Sequence, residues 1–189
     1  GLLYGVQSQD TGELDRNHNL DMACVVCQRP TAQQTYVQWG RSSSCSNGHQ
    51  IEYSGLVMST RYDEGKSEYI CVDPDRAPHR WSDPSDQPAG RIYTVEMRRG
   101  AAAEHIYPDG VEVGCSVCSV SQGDGSVFER WGSQTCPEGS ELLYEGSMAS
   151  AHQDHSGSGA NFLCMHGSPQ RTVGASRAPA QYSLVARGK

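Results

Sequence analysis

The chain has 189 residues, 36% of them hydrophobic and 7% aromatic, with 21 glycines and a formal net charge of −7. No run approaches the roughly 18 consecutive apolar residues of a membrane-spanning helix, and the negative balance argues against a general phosphate-binding surface. Gly, Ser, Asn and Asp interrupt every hydrophobic run, which favours short strands and turns over long helices.

Taken in chain order, β-like runs occur at "LLYGV", "ACVVC", "TYVQWG", "QIEYSGLVM", "YICV", "RIYTVEM", "GCSVC", "SVFERWG", "ELLYEGSM", "NFLCM" and "QYSLVA". Several alternate apolar and polar residues, as Ile92-Tyr93-Thr94-Val95-Glu96-Met97 does, which is the period of a half-buried strand. Turn formers separate them, among them Ser46-Asn47-Gly48, Pro137-Glu138-Gly139, Asp109-Gly110 and Gly123-Asp124-Gly125. Only Ala101–Glu104 permits a helix, and it is too short to stand alone. The proline-rich stretch 73–88 reads as a linker, with Trp81 as an exposed aromatic. Residues 168–189 carry Arg171, Arg177, Arg187 and Lys189 without an acid and read as a solvated tail.

The eight cysteines are duplicated. Cys24, Cys27, Cys45 and Cys71 read C-x2-C-x17-C-x25-C, and Cys115, Cys118, Cys136 and Cys164 read C-x2-C-x17-C-x27-C. An offset of 91 carries the first three onto their counterparts, and 93 carries Cys71 onto Cys164. The offset of 91 also maps Gly48, Tyr53, Gly55 and Asp63 onto Gly139, Tyr144, Gly146 and Asp154, and Trp39-Gly40 onto Trp131-Gly132 after a one-residue slip. Agreement of spacing and of other residues implies a tandem duplication. The expected organisation is a first repeat over 1–89 that includes the linker, a second over 90–178, and a strand or tail over 179–189.

A zinc site usually takes its second pair of ligands from another Cys knuckle, whereas the third and fourth Cys of each set are isolated. A redox Cys-x-x-Cys opens a helix, and "MACVVCQRP" reads as a short strand ending at Pro30. Structural disulfides suit the lean core and an oxidising compartment. A direct Cys24–Cys27 bond would close a very tight loop, so each is expected to reach Cys45 or Cys71 within its own repeat. The spacing leaves the choice open. Trp39 and Trp131 are expected to pack between strands.

The most unusual polar stretch is "SAHQDHSGSGANFLC". His152, Asp154 and His155 could face a metal, but His-x-x-His suits a helix better than this Gly-Ser-Gly loop, and the matching loop "TRYDEGKSEYIC" has no His. Turn hydrogen bonding by Asp and Ser is the ordinary role of such a loop. A sugar or calcium contact is the functional alternative, with Tyr62 as a stacking face and Asp63, Asp154, His155 and Asn161 as polar partners. Gly-x-Ser-x-Gly, a phosphate-binding glycine loop and an Asn-x-Ser/Thr sequon are all absent from the sequence.

Cys-x-Val-Cys, the "YVxWG" block, "CPxGxxLLYEG", "DHSGSGANFLC" and "RNHNLDMACVVC" together resemble the C-terminal region of spongin short-chain collagens and their collagen-free relatives. The resemblance spans most of both repeats and is closer in the second. It implies a secreted, extracellular-matrix-type protein, distantly similar to the non-collagenous domain of type IV collagen, which is a duplicated, disulfide-bonded β fold. This chain has no Gly-X-Y run, so it makes no triple helix itself. An initial Gly1 without a signal-like stretch fits a processed, mature protein.

The expectation is therefore an all-β tandem duplication of two similar disulfide-stapled subdomains. Its expected role is secreted, non-enzymatic and lectin-like, binding extracellular glycans and needing no cofactor unless calcium. The alternative is a matrix-assembly module that binds matrix proteins or its own copies. Nucleic acid and membrane spans are not expected.

Overall fold

The computed structural model describes residues 6–9, 20, 22–25, 27–28, 32–74, 89–98, 110–121, 123, 125–168 and 185–186. The described residues form eleven strands: β1 (Val6–Ser8), β2 (Ala32–Trp39), β3 (Gln50–Ser59), β4 (Lys66–Ser67), β5 (Ile70–Val72), β6 (Gly90–Glu96), β7 (Gly114–Ser121), β8 (Gly146–Ala149), β9 (Ser158–Gly159), β10 (Leu163–His166) and β11 (Val185–Ala186). No α-helix occurs among the described residues, and none is long and apolar enough to cross a membrane. The all-β expectation holds. The opening "GLLYG", Ala101–Glu104, Trp81, most of the linker and the basic residues Arg171, Arg177, Arg187 and Lys189 lie outside the described residues.

Nine strands form one sheet in the order β1-β6-β3-β7-β2-β10-β8, with β5 also on β3 and β11 also on β6. The centre is β7, antiparallel to β2 on one side (Tyr36↔Cys118, Trp39↔Cys115) and to β3 on the other (Ile51↔Cys118, Gly55↔Cys115). Strands from the two halves of the chain therefore interleave. The run near the C-terminus does add a strand, pairing Val185 with Glu96 and Ala186 with Val95.

Interleaving decides the disulfides. Cys45 is bonded to Cys118 and Cys71 to Cys115, with Cα–Cα distances of 5.9 and 5.8 Å. The expected pairing within one repeat is corrected, because β7 lies between β2 and β3, which flank Cys45, and pairs with β3 next to the stretch on which β5 carries Cys71. Gln38, fully buried, fixes the turn at Cys45: its Nε2 donates to the Ser44 carbonyl at 2.6 Å, and its Oε1 accepts from the Ser46 amide at 3.0 Å. The two bonds close sequence separations of 73 and 44 residues. On the chain-entropy model each contributes about 4 kcal/mol, a large share of the stability of a domain with a lean core. Cys24, Cys27, Cys136 and Cys164, expected in bonds, are thiols in this structure.

The main core gathers Trp39, Val57, Tyr69, Tyr93, Val95, Met97, Val113, Leu163 and Met165 around the Cys71–Cys115 bond, and a smaller cluster of Met58, Val72 and Ile92 packs with Met22. β6 feeds both clusters, so Ile92 through Val95 are all buried where alternation implied one wet face. Burying a side chain such as Met58 or Leu163 contributes about 2–3 kcal/mol. Two expected strands are missing. The described residues of "ACVVC" and the whole of "SVFERWG" lack strand pairing, and Trp131, expected to pack, is 44% exposed while Trp39 is 8% exposed.

Candidate binding site at two paired loops

The loops after β3 and β8 meet each other. β4 and β9 pair in parallel, Lys66 with Ser158 and Ser67 with Gly159, so the "DEGKS" and "HSGSG" loops lie side by side. Backbone bonds extend the seam: the Gly157 amide donates to the Tyr62 carbonyl at 2.8 Å, Ser158 to Arg61 at 3.0 Å, and Ala160 to Ser67 at 2.7 Å.

The glycines make this approach possible. A Cβ on Gly157 would sit 2.0 Å from the Arg61 carbonyl oxygen, and one on Gly159 would sit 2.1 Å from the Tyr69 ring. Ser158 between them is buried with φ of +70°, a region that L residues rarely adopt. Its hydroxyl lies 3.2 Å from that of Tyr69, which gives the strained residue a polar anchor.

On this base four of the expected residues converge. The Tyr62 and His155 rings lie 5.2 Å apart in a tilted arrangement, and His152 lies 5.2 Å from His155. Asp63 is gripped by Arg61, whose Nη2 donates to Oδ2 at 2.7 Å and whose Nε donates to Oδ1. That guanidinium holds the Asp63 carboxyl below the usual carboxylate range. The Asp154 carboxylate lies 3.6 Å from Nδ1 of His152, while its own amide donates to that same nitrogen at 3.2 Å. The amide contact requires an unprotonated Nδ1, so in the neutral ring the amide bond is the one made.

His155 is half-buried between the two loops. Its Nδ1 is buried with no hydrogen-bond partner among the described residues. Burial and neighbouring His152 push the imidazole below its ordinary value, against the pull of Asp154 and Asp63. Below the surface, Tyr93 donates from its hydroxyl to Glu64 Oε1 at 3.0 Å.

Asn161 does not join the group. Its Oδ1 accepts from the Tyr69 amide at 2.8 Å, which anchors β5 to the loop before β10. Arg61, which no reading of the sequence named as a ligand residue, is part of the site, and so is His152, which was weighed only as a metal ligand. The signal was present, since Arg61-x-Asp63 and His152-x-Asp154 stand at the common offset of 91. The surface offers an exposed Tyr62 ring, two imidazoles and the free side of Asp154. Such a set can stack on an apolar face and exchange hydrogen bonds with hydroxyls. No cluster of three or more His, Cys, Asp or Glu side chains placed to hold a metal occurs among the described residues, and Asp63 is committed to Arg61.

The fold and its bonds define a disulfide-stapled all-β protein, consistent with an oxidising, extracellular setting. The chain matches no family model, no curated protein and no solved structure.

Proposed function

We propose that this protein is a secreted, non-enzymatic binding module that recognises carbohydrate through the paired loops. The observation that carries the reading is the convergence of Tyr62, Asp63, Asp154 and His155, drawn from both halves of the chain, on one surface. Tyr62 supplies a face for the C–H side of a sugar ring, and Asp154 and His152 supply partners for its hydroxyls. The likeness to spongin C-terminal regions supports the extracellular setting. The direct test is retardation of the intact, non-reduced protein on a polysaccharide matrix, with release by the free sugar. Elution at the same volume with and without sugar is the contrary result.

A second reading, assembly within an extracellular matrix, is favoured by β8. Among the described residues this end strand of the sheet is paired only to β10, and its Met148 is 55% exposed. An unpaired edge of this kind can template pairing with another chain. Assembly would give a stable oligomer indifferent to sugar.

A further inference from the structure

The two halves of the chain build the same local geometry from matching positions. β5 lies on β3 as Leu56↔Val72, Val57↔Cys71 and Met58↔Ile70, and β10 lies on β8 as Ser147↔Met165, Met148↔Cys164 and Ala149↔Leu163. Offsets of 91 on the inner strand and 93 on the outer convert one register into the other. The Tyr53 hydroxyl donates to the Cys71 carbonyl at 2.9 Å, and Tyr144 to that of Cys164 at 3.1 Å. Cys45 Sγ and Cys136 Sγ each lie 3.7 Å from the carbonyl oxygen five residues on. The Ser44 carbonyl is held by Gln38 at 2.6 Å, and the Thr135 carbonyl by Arg130 at 2.8 Å.

What differs is the cover. Val57 is fully buried and Trp39 is 8% exposed, whereas their counterparts Met148 and Trp131 are 55% and 44% exposed. In the first case β7 lies alongside and bonds Cys115 to Cys71 and Cys118 to Cys45. In the second there is an open groove of about 1580 Å³, lined by Phe128, Trp131, Leu142 and Met148, with both Cys136 and Cys164 in its wall. Moving Cys115 and Cys118 back by 91 positions gives Cys24 and Cys27, the two exposed thiols. The strand segment that would match β7 in this groove is therefore the chain's own Cys-x-x-Cys.

We propose that Cys24 bonds to Cys164 and Cys27 to Cys136, seating the first Cys-x-x-Cys in the groove as β7 seats the second. Gly146 holds the matching place, since a Cβ on it would lie 1.8 Å from the Met165 carbonyl oxygen as one on Gly55 would lie 2.4 Å from that of Val72. Its counterpart Gly55 runs under the Cys71–Cys115 bond, where a Cβ would lie 3.0 Å from Cys71 Sγ. Each bond forms by exchange with a small-molecule disulfide of the glutathione class. A protein thiolate attacks it, releasing one glutathione thiol, and the second protein thiolate displaces the other from the mixed disulfide. Two protein sulfurs are oxidised, one external disulfide is reduced to two thiols, and the two protein thiol protons end on those thiols. Burial and Glu129 hold the Cys164 thiol above its ordinary value, so the first attack falls to the exposed Cys24.

The test is disulfide mapping of the full chain folded in a glutathione redox buffer. Thiols are alkylated without reduction, and the protein is cleaved after Lys, Arg and Glu, which separates Cys136 from Cys164. The expected result is no alkylated cysteine, with the peptide holding Cys24 and Cys27 linked to both others. In Cys24→Ser the alkylated residue should be Cys164, and in Cys27→Ser it should be Cys136. Alkylation of all four, a Cys24–Cys27 or Cys136–Cys164 bond, or the opposite release pattern in the variants would each overturn the pairing. The wild-type map stands as a reading on its own if a variant fails to fold.

Discussion

Cys71 on β5 is bonded to Cys115 on β7 across the backbone of Gly55, the β3 residue that faces Cys115 in the sheet. A side chain at this position would place its Cβ 2.4 Å from the Val72 carbonyl oxygen and 3.0 Å from Cys71 Sγ. Gly55→Ala is therefore expected to lower stability by about 1–3 kcal/mol, the usual cost of forcing a methyl into a packed site. Thermal melts with disulfides intact check this, and an unchanged Tm would contradict it.

The loop pair makes a parallel claim about Gly159, whose Cβ would enter the ring of the buried Tyr69. Gly159→Ala is expected to part β4 from β9, lowering Tm by several degrees and weakening ligand binding at the same time. Gly65→Ala, where nothing lies within 4 Å of an added Cβ, is the matched control and should leave both intact.

Stability is expected to fall with acid. Burial depresses the pKa of both His155 and His166 below the ordinary 6.5. The neutral rings are favoured in the fold, so the unfolded chain binds more protons once the pH drops through about 6.5. Their contribution is complete above that value and is lost as pH falls towards the depressed folded values. His166 also stacks on Tyr144 at 4.9 Å and accepts from the Ser168 amide on Nδ1, a bond that protonation removes. Tm measured from about pH 7.5 down to pH 5 should decline, and His166→Gln should flatten the decline.

Much of the sheet was legible because β2, β3, β5, β6 and β7 carry clean apolar runs or alternation bounded by turn residues. The failures share one cause. A run such as "SVFERWG" specifies a strand only if a partner lies beside it, and the pairing of distant segments leaves no mark in local pattern. The cysteine spacing fixed a framework for the same reason without fixing partners. Asp63 and Asp154 were findable from the shared offset of 91, whereas the tie of Asn161 to the Tyr69 amide depends on contacts between distant segments and was not.

Metal should be dispensable for binding, because Asp63 is held by Arg61 and no donor cluster gathers among the described residues. Treatment with EDTA is expected to leave sugar binding unchanged. Asp154→Asn, which removes an exposed carboxylate acceptor, is expected to weaken it about tenfold or more. Loss of binding in EDTA would reverse this assignment.

The most direct test is a glycan array probed with the intact, non-reduced protein beside its Tyr62→Ala variant. Tyr62 is 39% exposed, so its truncation should spare the fold. Sugar-inhibitable binding by the wild type that is lost in Tyr62→Ala is the expected result. No binding across a broad array, or binding that Tyr62→Ala leaves untouched, would contradict carbohydrate recognition at the paired loops.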